Sequence, residues 1–185
     1  MIERGYFRRA LRIVAGDPIP YVIGGLILHL LSAAALGLLV GPTICGIVWI
    51  TLKHCRGQEV VFSDIFRGFD NFVDAFLAGV AFALLVSAGV CLLVVPGIIL
   101  GALFCFVFPF VVDRGLSFSE AMAASSGLAR DRHDLLDRSL FFLVALLVGI
   151  SGTMLCLVGL LFTWPLMWAV VAVAYEDLQA PARAP

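Results

Sequence analysis

The residues able to do chemistry in this chain are few and badly placed for it. Cys45, Cys55, Cys91, Cys105 and Cys156 are odd in number, lie mostly inside apolar runs and show no CxxC or metal-ligand spacing. They read as small packing residues, since a free cysteine behaves as a small hydrophobe. His54-Cys55 beside Lys53 is a conceivable reactive thiol without a recognisable partner. Asp131, His133 and Asp134 could be drawn as a metal or acid–base site. A mixed-charge stretch holding local ion pairs accounts for them equally well. There is no HExxH, no GxSxG and no carboxylate inside the apolar runs to activate water. We therefore expect no enzyme activity, cofactor or metal.

His29 is the exception. Apart from cysteines and the near-terminal Tyr21 and Tyr175, it is the only ionisable side chain within an uncharged run. Such a residue is a functional candidate by default. It shares an i+4 series with Gly25, Ala33, Gly37 and Gly41, which places it on a packed face. A neutral imidazole bonded to a carbonyl or hydroxyl across that contact is the plainer reading, because no carboxylate completes a proton relay.

The elements that hold these residues follow from charge placement. Hydrophobic residues make up 62% and charged residues 14%, with mean hydropathy +1.09. That excludes an ordinary soluble domain, in which about a quarter of residues are charged. A net charge of −1 gives no basic face for nucleic acid. All Lys, Arg, Asp and Glu fall in four clusters, 1–17, 53–74, 113–138 and 176–185, separated by uncharged runs 18–52, 75–112 and 139–175. Each run is nearly twice the roughly 20 residues that one helix needs to cross a bilayer. A single crossing per run would put Lys53, Arg56 and Arg67 opposite Arg4, Arg8, Arg9 and Arg12. A hairpin in each run instead puts all 12 Lys and Arg on one face, as positive-inside placement favours.

The expected fold is thus all-α: an integral membrane bundle of about six short transmembrane helices, arranged as three hairpins. Both termini are expected in the cytoplasm. Helix breaks are expected at Gly41-Pro42, at Pro96-Gly97 (the tip of the central hairpin) and at Trp164-Pro165; in the first and third runs either the second helix is short or the proline lies inside a kinked span, with Gly159 an alternative apex in the third. A single domain spans 1–178, and 179–185 form a flexible tail. Small residues every fourth position, namely Ala75, Gly79, Ala83, Ser87, Cys91, then Gly97, Gly101, Cys105, Pro109, then Ala145, Gly149, Thr153, predict close helix contacts.

A polar, partly amphipathic segment precedes each hairpin, a weak repeat of layout. In residues 1–17, Arg4, Arg8, Arg9 and Arg12 take one helical face and Ile2, Tyr6, Phe7, Ala10, Leu11 and Val14 largely the other. This pattern suits an interfacial helix with its arginines at lipid headgroups, or a plain topology signal. Ser32–Ala35 offers small residues after an apolar stretch. The run continues well beyond them, so we expect no cleaved signal peptide. Phe62, Ile65, Phe66, Phe69, Val73 and Phe76 form a second apolar stripe, with Ser63 as the expected N-cap. Ser117-Phe118-Ser119-Glu120 reads as a capping box.

Two ordered stretches carry a likeness. The first is GPTICGIVWITLKHCRGQEVVFSDIFRGF; the second is LLVVPGIILGALFCFVFPFVVDRGLSFSEAMAAS, and a final hairpin follows. Over about residues 15–178 the chain resembles a bacterial family that includes the membrane domain of glycerophosphoryl diester phosphodiesterases and related uncharacterised inner-membrane proteins. The resemblance implies a multi-pass fold in the bacterial inner membrane. Relatives often carry an Arg in the helix after the Pro-Gly, whereas Gly97–Val112 is uncharged here. No counterpart of the soluble phosphodiesterase domain is recognised, so no catalytic residue carries over. We expect a non-enzymatic scaffold, partner-binding or lipid-interacting module whose partners are the bilayer and a second copy or another membrane protein. The alternative is a small oligomeric transporter or channel with broken helices lining a site.

Overall fold

The computed structural model describes residues 5–34, 39–128, 132–152 and 156–183, and these residues are helical and contain no strand. In chain order the helices are α1 (Tyr6–Gly16), α2 (Pro18–Ala34), α3 (Val40–Cys55), a 3-10 helix (Phe62–Phe69), α4 (Phe72–Leu92), α5 (Val94–Phe104), α6 (Val107–Arg114), α7 (Phe118–Gly127), α8 (Arg132–Ser151) and α9 (Cys156–Arg183). Among the described residues two stretches are long and apolar enough to cross a membrane: α4, and α5 with α6 taken together as Val94–Arg114, with mean hydropathies of 2.4 and 2.5. A third is added if α1 and the start of α2, bent by 85°, count as one broken span.

Helix α9 is the central column. Every residue from Met167 to Tyr175 is buried, as expected of a helix apolar all round. Against it pack α8, α3, α1 and α2. Phe82 of α4, Phe108 of α6 and Trp168 of α9 meet edge to face at 5.0–5.8 Å, with Phe142 of α8 at 6.2 Å from Phe82. Such offset rings add to the stabilisation of simple burial. By contrast, α4 turns Val73, Leu77, Val80, Leu84 and Val90 outward. In water that would be a large unpartnered apolar face.

Close helix contacts fall only partly where the small-residue rows predict. Ala75 and Gly79 are buried, and a Cβ on Gly79 would stand 2.7 Å from the Gly41 Cα, so the α3 and α4 backbones touch. Ala83, Ser87 and Cys91 are not on that contact. Ala83 and Ser87 are exposed, and Gly89 meets Gly97 of α5 instead. The α4–α5 reversal has moved the contact to another face of α4. In α5 and α8 the rows hold: Gly101 lies under the Phe142 ring and Gly149 under Met167. Thr153 lies outside the described residues.

The breaks sit beside the prolines and not on them. Leu93, with extended backbone (φ −171°, ψ 149°), makes the α4–α5 reversal, and Pro96-Gly97 occupies the first turn of α5. Gly41-Pro42 likewise lies in the first turn of α3. A first-turn N–H has no intrahelical acceptor, so proline is tolerated there. Pro165 makes no break but takes the other alternative, a proline inside a helix: it lies within α9, which runs from Cys156 to Arg183. Helix α8 ends at Ser151, and Gly159 is within α9. Thr163, two residues before the proline, donates its hydroxyl to Gly149 O at 2.7 Å and ties α9 to α8 there. The expected tail also begins too early. Gln179 is buried within α9 and accepts a hydrogen bond from Arg114.

Ser63 does not cap a helix. The stretch 62–69 winds as a 3-10 helix, whose first turn is closed by Asp64 accepting the Val61 N–H at 2.8 Å. At α7 the capping pair forms, with Glu120 accepting the Ser117 N–H at 3.0 Å and its hydroxyl at 2.6 Å. These bonds hold the exposed Glu120 carboxyl below the usual range. Asp74 of α4 accepts the Phe118 N–H at 2.8 Å and fixes α7 against α4.

Candidate functional site

The charged ends of the helices meet. Arg56, at the C-terminal end of α3, points Nη1 at Asp113 Oδ1 of α6 (2.7 Å) and donates Nε and Nη2 to the Glu176 carboxylate of α9 (3.2 and 2.8 Å). A cation just past a helix C-terminus is favoured by the unsatisfied carbonyls there. Desolvation opposes the Arg56 charge, but Glu176 and Asp113 outweigh it and raise the Arg56 pKa further. Asp113 is only 4% exposed; Tyr175 donates its hydroxyl to Asp113 Oδ2 at 3.2 Å and sets its ring on Phe110. Arg9 of α1 donates to Asp177 at 2.7 Å. His54 Nε2 lies 3.6 Å from Asp17 Oδ2. All four charged clusters of the sequence are therefore linked to one another at one end of the bundle.

An Asp–His–Tyr chain sits beside this clamp. The Tyr21 hydroxyl lies 3.2 Å from Thr51 Oγ1 and 3.3 Å from His54 Nδ1, which also lies 3.1 Å from Ile50 O. Such a chain could move a proton, but Tyr21 is buried and Thr51 commits its proton to Ile47 O at 2.9 Å. Its effect is to fasten α2 to α3.

The 3-10 helix closes over α3 on the other side. Gly46 and Gly68 allow it: a Cβ on Gly46 would fall 2.1 Å from Ile65 O, and one on Gly68 2.1 Å from Pro42 O. Lys53 donates to Asp64 at 2.6 Å. Desolvation would raise the Asp64 pKa, yet Lys53, the Val61 N–H and Trp49 together bring it below the ordinary value. Between α3, this helix and α6 lies a cavity of about 350 Å³. Cys45, Val111 and Asp113 form its buried part, with Trp49, Arg67 and Asp70 nearer the rim. The Arg67 guanidinium lies 5.5 Å from the centroid of the Trp49 ring and 3.1 Å from Asp70. Phe62, Phe66, Phe69, Phe72 and Phe76 form a ladder of rings 6.1–6.5 Å apart from the 3-10 helix onto α4.

The arginines of α1 are divided. Arg9 is engaged with Asp177, Arg8 and Arg12 are exposed, and Arg4 lies outside the described residues. The apolar face of α1 is covered by protein: Tyr6, Ala10 and Val14 are buried, and Tyr6 and Phe7 contact Phe141. Leu11 points outward, 56% exposed. His29 belongs to the backbone of α2, but its side chain lies outside the described residues, as do Asp131 and the His133 side chain; Asp134 is exposed. Among the described residues no group of three His, Cys, Asp or Glu could hold a metal.

Sequence reasoning missed two features. One is the clamp, whose signal was present: Arg56 closely follows the first apolar run, while Asp113 and Glu176 directly follow the second and third. The other is Arg138, 3% exposed on α8, which donates Nη2 to Ser125 O at 3.2 Å and stacks 5.1 Å from the Phe106 ring centroid. Its Nε and Nη1 have no hydrogen-bond partner among the described residues. No family model, curated protein or solved structure matches the chain.

Proposed function

We propose that the chain is a non-enzymatic, lipid-interacting integral membrane module of the bacterial inner membrane. In this reading its three apolar runs each fold back as a hairpin, giving about six short spans with both termini cytoplasmic. The observation that carries the reading is the linkage of all four charged clusters: Arg9–Asp177, His54–Asp17, Arg56–Asp113 and Arg56–Glu176. Ends of a run that share ion-pair partners belong at the same aqueous boundary, and positive-inside placement makes that boundary cytoplasmic. The outward apolar face of α4 supports contact with lipid, and the aromatic packing of Phe82, Phe108, Phe142 and Trp168 supports a closed bundle over a wet path. Alkaline carbonate extraction of membranes expressing the chain tests the assignment: it stays in the pellet, and release to the supernatant would refute an integral protein.

One observation favours the second reading, a small transporter. The α5–α6 discontinuity at Cys105-Phe106 lies beside the buried Arg138 guanidinium, and interior breaks with a charge nearby line the sites of repeat-built transporters. Anion flux through proteoliposomes that is abolished by Arg138→Gln would establish it over the first.

A further inference from the structure

The cavity between α3, the 3-10 helix and α6 contains a cation site filled by the chain itself. Arg67 rests on Trp49 and pairs with Asp70, both charges 57% exposed, and an ion pair that open is worth little. Its dissociation leaves an indole face with Asp70 on one side and Asp113 at the buried end, and frees a guanidinium at the rim. Carboxylates and an aromatic face select a cation, while a free arginine fork selects a phosphate. The complementary ligand carries both charges a few ångströms apart. The cation site has one aromatic wall and two carboxylates, and Asp113, which already accepts from Arg56 and Tyr175, keeps acceptor capacity for a further donor; a quaternary ammonium is best held by a cage of several rings, whereas a primary ammonium can donate to both acids.

The mouth of the cavity favours a lipid as the source. Its outer wall is the 3-10 helix, whose exposed Phe62 and Phe66 begin the ring ladder that continues onto Phe72 and Phe76 of α4. A lipid whose chains lie along α4 presents its headgroup at this level. About 350 Å³ is within the range of small-ligand sites.

We propose that this cavity seats the headgroup of a primary-amine phospholipid, with its ammonium over Trp49 between Asp70 and Asp113 and its phosphodiester on Arg67. The proposal rests on the membrane reading above and can fail without it. The full chain, purified in a non-ionic sugar detergent, is given equimolar ethanolamine, choline and glycerol phospholipids of identical chains, and retained lipid is read by native mass spectrometry. One ethanolamine lipid is retained at least tenfold over the other two. Arg67→Gln and Asp70→Asn each reduce this preference at least fivefold without changing thermal stability. Trp49→Leu does the same, and should it not fold, the two rim variants carry the test. Leu84→Ala, on the outer face of α4, leaves the preference unchanged. Equal retention of the three lipids, an unaltered preference in the rim variants, or soluble phosphoethanolamine binding as tightly as the lipid would overturn the assignment. Retention in the carbonate pellet together with any of these results leaves the membrane reading standing and removes only this one.

Discussion

Arg56 and Glu176, 120 residues apart in sequence, make a two-pronged ion pair that ties the end of α3 to the central α9, and Asp113 joins it from α6. The three side chains belong to three different charged clusters and to α3, α6 and α9. Removing one member exposes what the clamp contributes. Breaking a buried pair from one side costs about 3 kcal/mol, because the other charge is left uncompensated. Arg56→Gln strands both carboxylates and destabilises by about that much, and Glu176→Gln, which leaves Arg56 with Asp113, by less. Denaturant titration of the two variants and the double variant checks both the order and the coupling.

The Lys53–Asp64 pair gives the 3-10 helix a pH dependence of known sign. The folded Asp64 pKa is depressed, so its stabilisation is fully present above the unfolded carboxylate value of about 3.9 and is lost as pH falls through the folded value. Hydrogen exchange at residues 62–69 should stay slow from pH 7 to about 4 and accelerate below it. In Asp64→Asn the exchange is faster throughout, and that acid step disappears.

Gly79 and Ala83 occupy equivalent places in the same small-residue row and should respond differently. A side chain on Gly79 meets the Gly41 backbone at 2.7 Å, where overpacking costs about 1–3 kcal/mol or more. Ala83 is exposed. Gly79→Leu therefore lowers the melting temperature in detergent by several degrees, and Ala83→Leu leaves it within error.

These contrasts separate what was legible in the residues from what was not. Charge placement divided the ions into four clusters, but which side chains pair between them, Arg56 with Asp113 and Glu176, was not foreseen, because partner choice depends on the packing. The choice between Gly79 and Ala83 depends on how α4 sits against α3 and α5, which a four-residue period does not encode. Proline position identified the neighbourhood of the α4–α5 reversal but not its apex, since a first-turn proline and a turn proline carry the same sequence mark. Pro165 carried two readings, a break or a proline within a span, and the structure has the second, a choice that the residue type alone does not encode. The Trp49–Arg67 pairing, across the 3-10 helix and α3, had no local signal.

Sidedness of labelling tests the central claim most directly. On a cysteine-free background, Arg8→Cys, Gln58→Cys and Ser119→Cys at the charged end, and Val95→Cys at the α4–α5 reversal, are offered a membrane-impermeant maleimide from either face. The three charged-end positions should react only from the cytoplasmic side and Val95→Cys only from the other. Labelling of Arg8→Cys and Gln58→Cys from opposite sides, or of Val95→Cys from the cytoplasmic side, would contradict the folding-back of the apolar runs.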